Sequence, residues 1–376
     1  QTHERNIFMA HVRKQMISFF MTTKCNLDCI YCYTPKYKNI RPADTSIDLD
    51  FAKRGIDDFF RDNASRYIRF YGIGEPTIEI EKIKAITEYA RSVSNEKVYV
   101  ELQTNGCFPD STREWIKDNV NWLWVSCDGP ANVHDFQRPF RNGGGSATKV
   151  EKTIKSLLGL PALTVGVRAT LMADMITQQR KIVDYFFDVG VRYVNVLPVF
   201  APEDGSESQK YRWDALEFAE NFYDAHMYAK EKGLWYNTMC IVNFDEPTRI
   251  ACRSCTPCPH LTTDGYVSSC DFTQLGPEYI DGPLSDLIYG KYDKEKDMII
   301  YDEDKMHKIR SRCAENLIKE ICKDCDYVYN CAGGCMGQVV NETGDIMGRI
   351  EDNCTIVKYL AERIPRNQGL HPAFHS

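Results

Sequence analysis

Between about residues 15 and 200 the chain alternates short β-rich runs with longer stretches whose apolar positions recur at helical spacing. The runs at 15–21, 67–72, 97–103, 122–126, 163–170 and 193–198 predict six strands. Stretches near 48–61, 79–93, 111–118, 147–158 and 177–189 predict the helices between them. Strand–helix–strand crossovers of this length predict a parallel sheet. Several strands are nearly continuous in apolar residues, as expected when both sheet faces are covered. A partial (β/α)6 barrel of the TIM type fits this α/β alternation, and an open doubly wound sheet is the alternative.

A further helix is predicted over about 213–232, after which the texture changes. Residues 236–376 are rich in Cys, Gly, Asp and Tyr and hold few long periodic segments. Two domains are therefore expected: the barrel over 1–235 and a cysteine-rich region over 236–376, folded around metal more than around a large apolar core. The stretch 273–305 is acidic and turn-rich, with Gly276, Gly282 and Gly290, and reads as a loop or bridge.

The 376 residues are 43% apolar and 26% charged, ordinary for a globular protein. Acidic side chains outnumber basic ones by 53 to 46, and the net charge of -7 argues against nucleic acid or an anionic membrane as the main partner. No uncharged run reaches the roughly 18 residues that span a bilayer, and no secretory segment is visible. The chain opens at Gln1 rather than Met, so its natural start is expected upstream.

The unusual count is 16 cysteines, grouped as three at 25–32, four at 252–270 and five at 322–354. Disulfide scaffolds are usually small, secreted and loop-rich. Local clustering of thiols favours metal instead, and metal-bound thiolates must stay reduced, which predicts a cytoplasmic setting.

Cys25, Cys29 and Cys32 form a C-x3-C-x2-C motif directly after the first predicted strand. Three thiolates there can hold three irons of one cubane cluster and leave the fourth iron open. A structural zinc site normally takes four protein ligands, so the trio suits zinc poorly. This spacing, with Tyr31 and Tyr33 flanking the last cysteine, resembles the signature of the radical SAM enzymes. In that family the open iron is chelated by the amino and carboxylate groups of S-adenosylmethionine (SAM).

Supporting segments follow in order. Gly72-Ile73-Gly74-Glu75-Pro76 resembles the family's glycine-rich GEP segment, which contacts the SAM amino group. Glycines let backbone carbonyls approach, and Glu75 adds negative charge for an ammonium; Ile73 stands where the commoner form has Gly. Gln103-Thr104-Asn105-Gly106 resembles another recurring family segment. Ser126 and Arg168 match positions that bind the ribose or carboxylate of SAM, ordinary strand-end residues being the alternative. The cofactor-binding set the resemblance implies is Tyr31, Gly72, Gly74, Glu75, Gln103, Asn105, Ser126, Arg168 and Leu197. Ser126-Cys127-Asp128-Gly129-Pro130, with His134 and Arg138 behind it, resembles a stretch of peptide-modifying members. Asp128, His134 and Arg138 are read as hydrogen-bonded loop residues shaping the barrel mouth, in preference to an acid–base set.

The later cysteines, with Gly265 before Cys270, resemble the SPASM domain that extends many such enzymes. The family's interleaved ligation implies one auxiliary 4Fe–4S cluster on Cys252, Cys258, Cys270 and Cys335. It implies a second on Cys322, Cys325, Cys331 and Cys354. Cys255 can replace Cys252 or Cys258. Cys107, Cys127, Cys240 and Cys313 are left over; Cys107 and Cys127 are read first as packing residues, and Cys107, Cys127 and Cys240 remain minor candidates as hydrogen-atom donors. Two C-x2-C units could alternatively build a zinc ribbon, which is the non-enzyme reading of this half.

The nearest texture is that of the anaerobic sulfatase-maturating enzymes and the maturases of ribosomally made peptides. In the former an aspartate just after this cysteine takes a proton from the oxidised substrate residue, which makes Asp271 the catalytic candidate; burial beside a cluster would raise its pKa toward a useful range. The resemblance implies an oxidoreductase in which a reduced cluster splits SAM to a 5′-deoxyadenosyl radical that abstracts hydrogen from a peptide residue. The favoured outcome is a thioether or carbon–carbon crosslink in a ribosomally synthesised peptide. The alternatives are formylglycine formed from Cys or Ser, and epimerisation. Expected partners are a peptide or protein substrate and a low-potential donor such as flavodoxin or ferredoxin. The 24 residues before Cys25 are too few for a winged-helix leader-binding domain, so a separate leader-recognition protein, a missing segment or a leaderless substrate is expected.

Overall fold

The computed structural model describes residues 15–32, 44–200, 211–238, 248–280 and 282–364; Tyr33 and Cys240 lie outside them. The chain separates into two compact units. One is built from residues 19–49 and 66–238, and the other gathers the residues up to 18, 50–65 and those after 238.

All six expected strands are present as β1 (Ile17–Phe20), β2 (Tyr67–Tyr71), β3 (Tyr99–Thr104), β4 (Trp122–Ser126), β5 (Thr164–Leu171) and β6 (Tyr193–Pro198). A seventh, β7 (Trp235–Thr238), extends the run, and their order is sequential from β1 to β7. Each neighbouring pair from β2–β3 to β6–β7 is parallel. Between the strands come α1 (Leu49–Asp62), α2 (Ile80–Ser92), α3 (Asp110–Asn119), α4 (Ala131–Gln137), α5 (Ala147–Leu157), α6 (Gln179–Val189) and α7 (Ala215–Glu231). The helices form where the apolar spacing predicts them. In α6, Ile182, Val183, Phe186 and Val189 make one buried stripe, and Gly190 ends the helix at φ 98°, a left-handed position that glycine takes without steric cost. Asp214 caps α7 by accepting from the Glu217 amide.

The sheet has two chemically different faces. Phe70, Leu102, Val125, Val167 and Val196 line one, and all are buried. Val125 there and Val150 of α5 both lie close to Gly106, which places that helix on the apolar face. On the other face the register aligns Arg69 with Glu101, Gln103 with Trp124, and Ser126 with Arg168 and Asn195. Gly166 is required there because a Cβ would meet the Trp124 ring at 2.4 Å. Trp124, Ser126, Arg168, Asn195 and Leu197 are only half-buried, so this polar, aromatic face is less closely covered than the apolar one.

The second unit contains antiparallel β8 (His260–Leu261), β9 (Tyr266–Ser268), β10 (Ile288–Asp293) and β11 (Met298–Tyr301). Five helices follow: α8 (Glu303–Ser311), α9 (Ala314–Glu320), α10 (Val328–Cys331), α11 (Met336–Thr343) and α12 (Glu351–Arg363). The 273–305 stretch is thus not a plain loop, because it contains the β10–β11 hairpin. Its glycines mislead for a physical reason: a Cβ on Gly276 would lie 2.4 Å from the Tyr266 ring, and Gly290 sits in β10 against Val267 and Tyr301. They are places of close approach as much as turns. Helix α1 belongs to this unit, stacking Phe51 on Tyr292 at 5.1 Å and pairing Arg54 with Asp297 at 2.8 Å. One apolar cluster of this unit is formed by Ala251, Ala314, Leu317, Val328 and Ala332.

Candidate active site

The loop after β1 carries Cys25, Cys29 and Cys32, and backbone contacts from three directions fix it. Gly74 and Glu75 donate their amides to the carbonyls of Thr22 and Lys24 at 3.0 and 2.7 Å. Asp28 and Ile30 donate to Pro139 and Gln137 at 2.9 and 3.0 Å, and a turn bonds the Cys32 amide to the Cys29 carbonyl at 3.1 Å. The three thiols lie near enough to interact electrostatically. Burial pushes the Cys25 thiol up to about 11 and the Cys29 thiol up to about 12, with Arg138 pulling Cys29 back down. Such thiols ionise when a metal takes the place of the proton.

Glu75 is 2% exposed, and its carboxylate accepts four hydrogen bonds from the chain. Thr77 gives its amide and hydroxyl at 3.1 and 2.6 Å, Thr104 its hydroxyl at 2.6 Å and Asn105 its amide at 2.7 Å. Its visible work is to tie the 72–77 segment to the end of β3, while burial raises its pKa. Asn105 then reaches the cysteine loop, donating to Asn26 at 2.7 Å with Cys25 Sγ at 3.9 Å. Behind Arg168 runs a second chain of bonds. Its guanidinium donates to Gln103 at 2.7 Å, Gln103 donates to Glu101 at 3.1 Å, and Glu101 accepts from the Tyr67 hydroxyl.

Asp128, fully buried, is the hub beside the cysteine loop. It accepts from the Tyr31 hydroxyl at 2.6 Å, Arg138 Nε at 2.8 Å, Gln137 at 3.1 Å and the Thr170 amide at 2.9 Å. The Arg138 guanidinium also lies over the Tyr31 ring, 5.2 Å from its centroid. His134 accepts the Asp128 amide on Nδ1 at 3.2 Å, and burial pushes its pKa down to about 4. Asp128, His134 and Arg138 thus form one hydrogen-bonded set, though His134 stands in α4 and Arg138 caps that helix, so that only Asp128 lies in a loop.

In the second unit the thiols fall into two sets. Cys252, Cys255, Cys270 and Cys335 interact with one another, Cys255 by a hydrogen bond to Cys252. Cys258 instead exchanges hydrogen bonds with the backbone of Met16. Cys322, Cys325, Cys331 and Cys354 form the other set. Ala332, Gly333 and Gly334 all have positive φ, and this left-handed run sends Cys331 to one set and Cys335 to the other. Among the described residues no three of the Cys, His, Asp and Glu side chains gather at the spacing of a single ion. Donor sets of three, four and four thiols fit polynuclear clusters by their chemistry. Asp271, one-third exposed, follows Cys270, and His260 Nε2 lies 3.2 Å from its Oδ1.

Residues 19–167 match the family model of the Radical SAM superfamily. The chain carries a radical SAM domain. Over 342 residues it is 25% identical to the cysteine-type anaerobic sulfatase-maturating enzyme of Clostridium perfringens, covering 83% of this chain and 85% of that one. Its fold is similar to native anSMEcpe with bound AdoMet and Cp18Cys peptide (TM-score 0.72, 19% identity, 94% and 98% of the two chains). It is also similar to Streptococcus suis SuiB bound to precursor peptide SuiA (TM-score 0.61, 16% identity, 91% and 76%).

The radical SAM domain contains Cys25, Cys29 and Cys32 on one loop, with Gly72, Gly74, Glu75 and Asn105 packed around it. Gln103, Ser126, Arg168 and Leu197 share the polar sheet face, and Tyr31 reaches Asp128. Sequence reasoning missed Glu101, whose signal is a buried acidic residue two positions before Gln103 on the same face of β3. It also missed His260 and Arg312, which no local motif marks.

Proposed function

We propose that this radical SAM enzyme is a peptide or protein maturase that oxidises a residue of its substrate by two electrons. In this reading Cys25, Cys29 and Cys32 hold the SAM-binding 4Fe–4S cluster, and the region from 236 on is a SPASM domain. Cys252, Cys270 and Cys335, with Cys258 or Cys255, would hold one auxiliary cluster, and Cys322, Cys325, Cys331 and Cys354 the other. When bound, the cluster and SAM supply a 5′-deoxyadenosyl radical able to take hydrogen from an unactivated carbon. The chain's own part is positioning. Arg168, held by Gln103, and Ser126 face the ligand side of the sheet, and Asp128 locks Tyr31 of the cysteine loop in place.

The observation that carries the proposal is the division of the later thiols into two sets of four, with the partly exposed carboxylate of Asp271 next to Cys270. Two further centres give the second electron somewhere to go. The favoured product is a thioether or carbon–carbon crosslink in a ribosomally made peptide. A second reading, formylglycine formation, is supported by Asp271, a partly exposed carboxylate directly after Cys270 that would take the proton from an oxidised Cys or Ser. The partners proposed are the peptide, a flavodoxin- or ferredoxin-like donor and a separate leader-recognition protein, in a reducing cytoplasm.

The test is anaerobic purification followed by iron and sulfide counting, where about twelve irons supports three clusters. Release of 5′-deoxyadenosine under a low-potential reductant must accompany it. Candidate peptides are then compared by mass: a crosslink removes two hydrogens and resists fragmentation between the joined residues, while formylglycine is trapped as an aldehyde. A colourless protein binding zinc alone overturns the proposal.

A further inference from the structure

Arg312 follows α8 and is fully buried, yet among the described residues it meets no carboxylate. Its Nη1 donates to the carbonyls of Ile346 and Gly348, and its Nη2 to the carbonyl of Gly333. Its Nε–H is buried and has no acceptor among the described residues. A guanidinium held only by carbonyl dipoles keeps its full positive charge in a medium that solvates it poorly. Such groups are retained where a negative charge stands nearby.

The position of this cation says which charge that is. Gly333 lies in the left-handed turn between Cys331 and Cys335, the two cysteines that part toward different sets. The guanidinium packs so closely there that a Cβ on Gly333 would sit 2.6 Å from Nη2. The Gly333 carbonyl it holds belongs to the turn that Cys331 and Cys335 flank two residues to either side, so the cation lies beside ligands of both thiol sets. A cubane held by four thiolates is a net anion, and reduction adds a further negative charge. We infer that Arg312 is the shared countercharge of the two C-terminal clusters, a positioning residue that grips the turn dividing their ligands and makes both centres easier to reduce. This rests on the proposal that those two sets hold iron–sulfur clusters.

The test uses the full-length holoenzyme, purified anaerobically as wild type, R312K and R312Q. Iron is counted per chain, and auxiliary-cluster reduction is followed by EPR against a poised potential. R312Q is expected to lower the reduction equilibrium constant about tenfold, equal to about 59 mV for one electron. R312K keeps the charge and should stay near the wild-type potential, although it cannot serve all three carbonyls. A purely structural role predicts that R312K falls with R312Q. That result, or an R312Q potential equal to wild type, overturns the inference. If R312Q does not fold, R312K decides alone: retained iron and potential support the charge role, and lost iron refutes it. A wild-type enzyme with only about four irons would instead overturn the cluster assignment itself.

Discussion

His260 Nε2 lies 3.2 Å from Asp271 Oδ1, while its Nδ1 lies 2.7 Å from the carbonyl oxygen of Cys258. The carbonyl only accepts, so Nδ1 must carry a hydrogen toward it. The ring orientation is thereby fixed, with Nε2 turned to Asp271. Asp271 is the more exposed partner, and buried His260 orients it.

If Asp271 takes the substrate proton, Asp271→Asn should lower product formation by about 10²–10⁴-fold, the range for loss of a general base. Release of 5′-deoxyadenosine should continue, because hydrogen abstraction precedes this step. His260→Gln should cost less, about tenfold, since it disturbs only the orientation of the base. Product and 5′-deoxyadenosine are quantified from the same reaction by mass spectrometry. Unchanged product yield in Asp271→Asn would remove the residue from the chemistry.

Gly74 admits no side chain. A Cβ there would lie 2.0 Å from the Lys24 carbonyl oxygen, and both neighbours in that contact are backbone. Gly74→Ala must therefore push the cysteine loop away from the 72–77 segment. The expected result is loss of about four irons from about twelve, with no SAM cleavage. Iron analysis and EPR check it, and a variant that keeps full iron and cleaves SAM contradicts it.

The six strands and their helices are legible because each is a local pattern, and so is the cysteine loop, whose thiols lie within eight residues. Long-range partnerships are not. Glu75 carries a family motif, yet its carboxylate is consumed by Thr104 and Asn105 on the next strand. His260 meets Asp271 only because antiparallel β8 and β9 set His260 opposite Ser268, three residues before Asp271. Arg312 looks like any surface arginine until folding buries it. The β7 strand hides in four residues, two of them polar, just behind a long helix.

Asp128 and Arg138 form a buried ion pair at 2.8 Å, and the loop holding Tyr31 hangs on it. Removing one partner leaves the other charge uncompensated, so Asp128→Asn should cost about 3–5 kcal/mol. The double variant Asp128→Asn/Arg138→Met removes both charges and should recover part of that loss. Urea denaturation of wild type, single and double variants measures it. Additive losses in the double variant would show that the pair is not coupled.

His134 supplies a pH dependence with a definite sign. It is fully buried and its pKa is pushed down to about 4, chiefly by desolvation, against an ordinary value near 6.5. Above pH 6.5 it is neutral folded and unfolded, and its titration contributes no slope. As pH falls from about 6.5 to about 4, the unfolded chain takes up a proton that the folded one refuses, so stability drops by up to about 3 kcal/mol. The loss is complete once pH is below the folded value. Thermal midpoints at pH 7.5 and 5.0 should therefore differ more for wild type than for His134→Gln, cluster lability being common to both. Equal pH slopes in the two proteins would show that His134 titrates freely and is not held neutral by its surroundings.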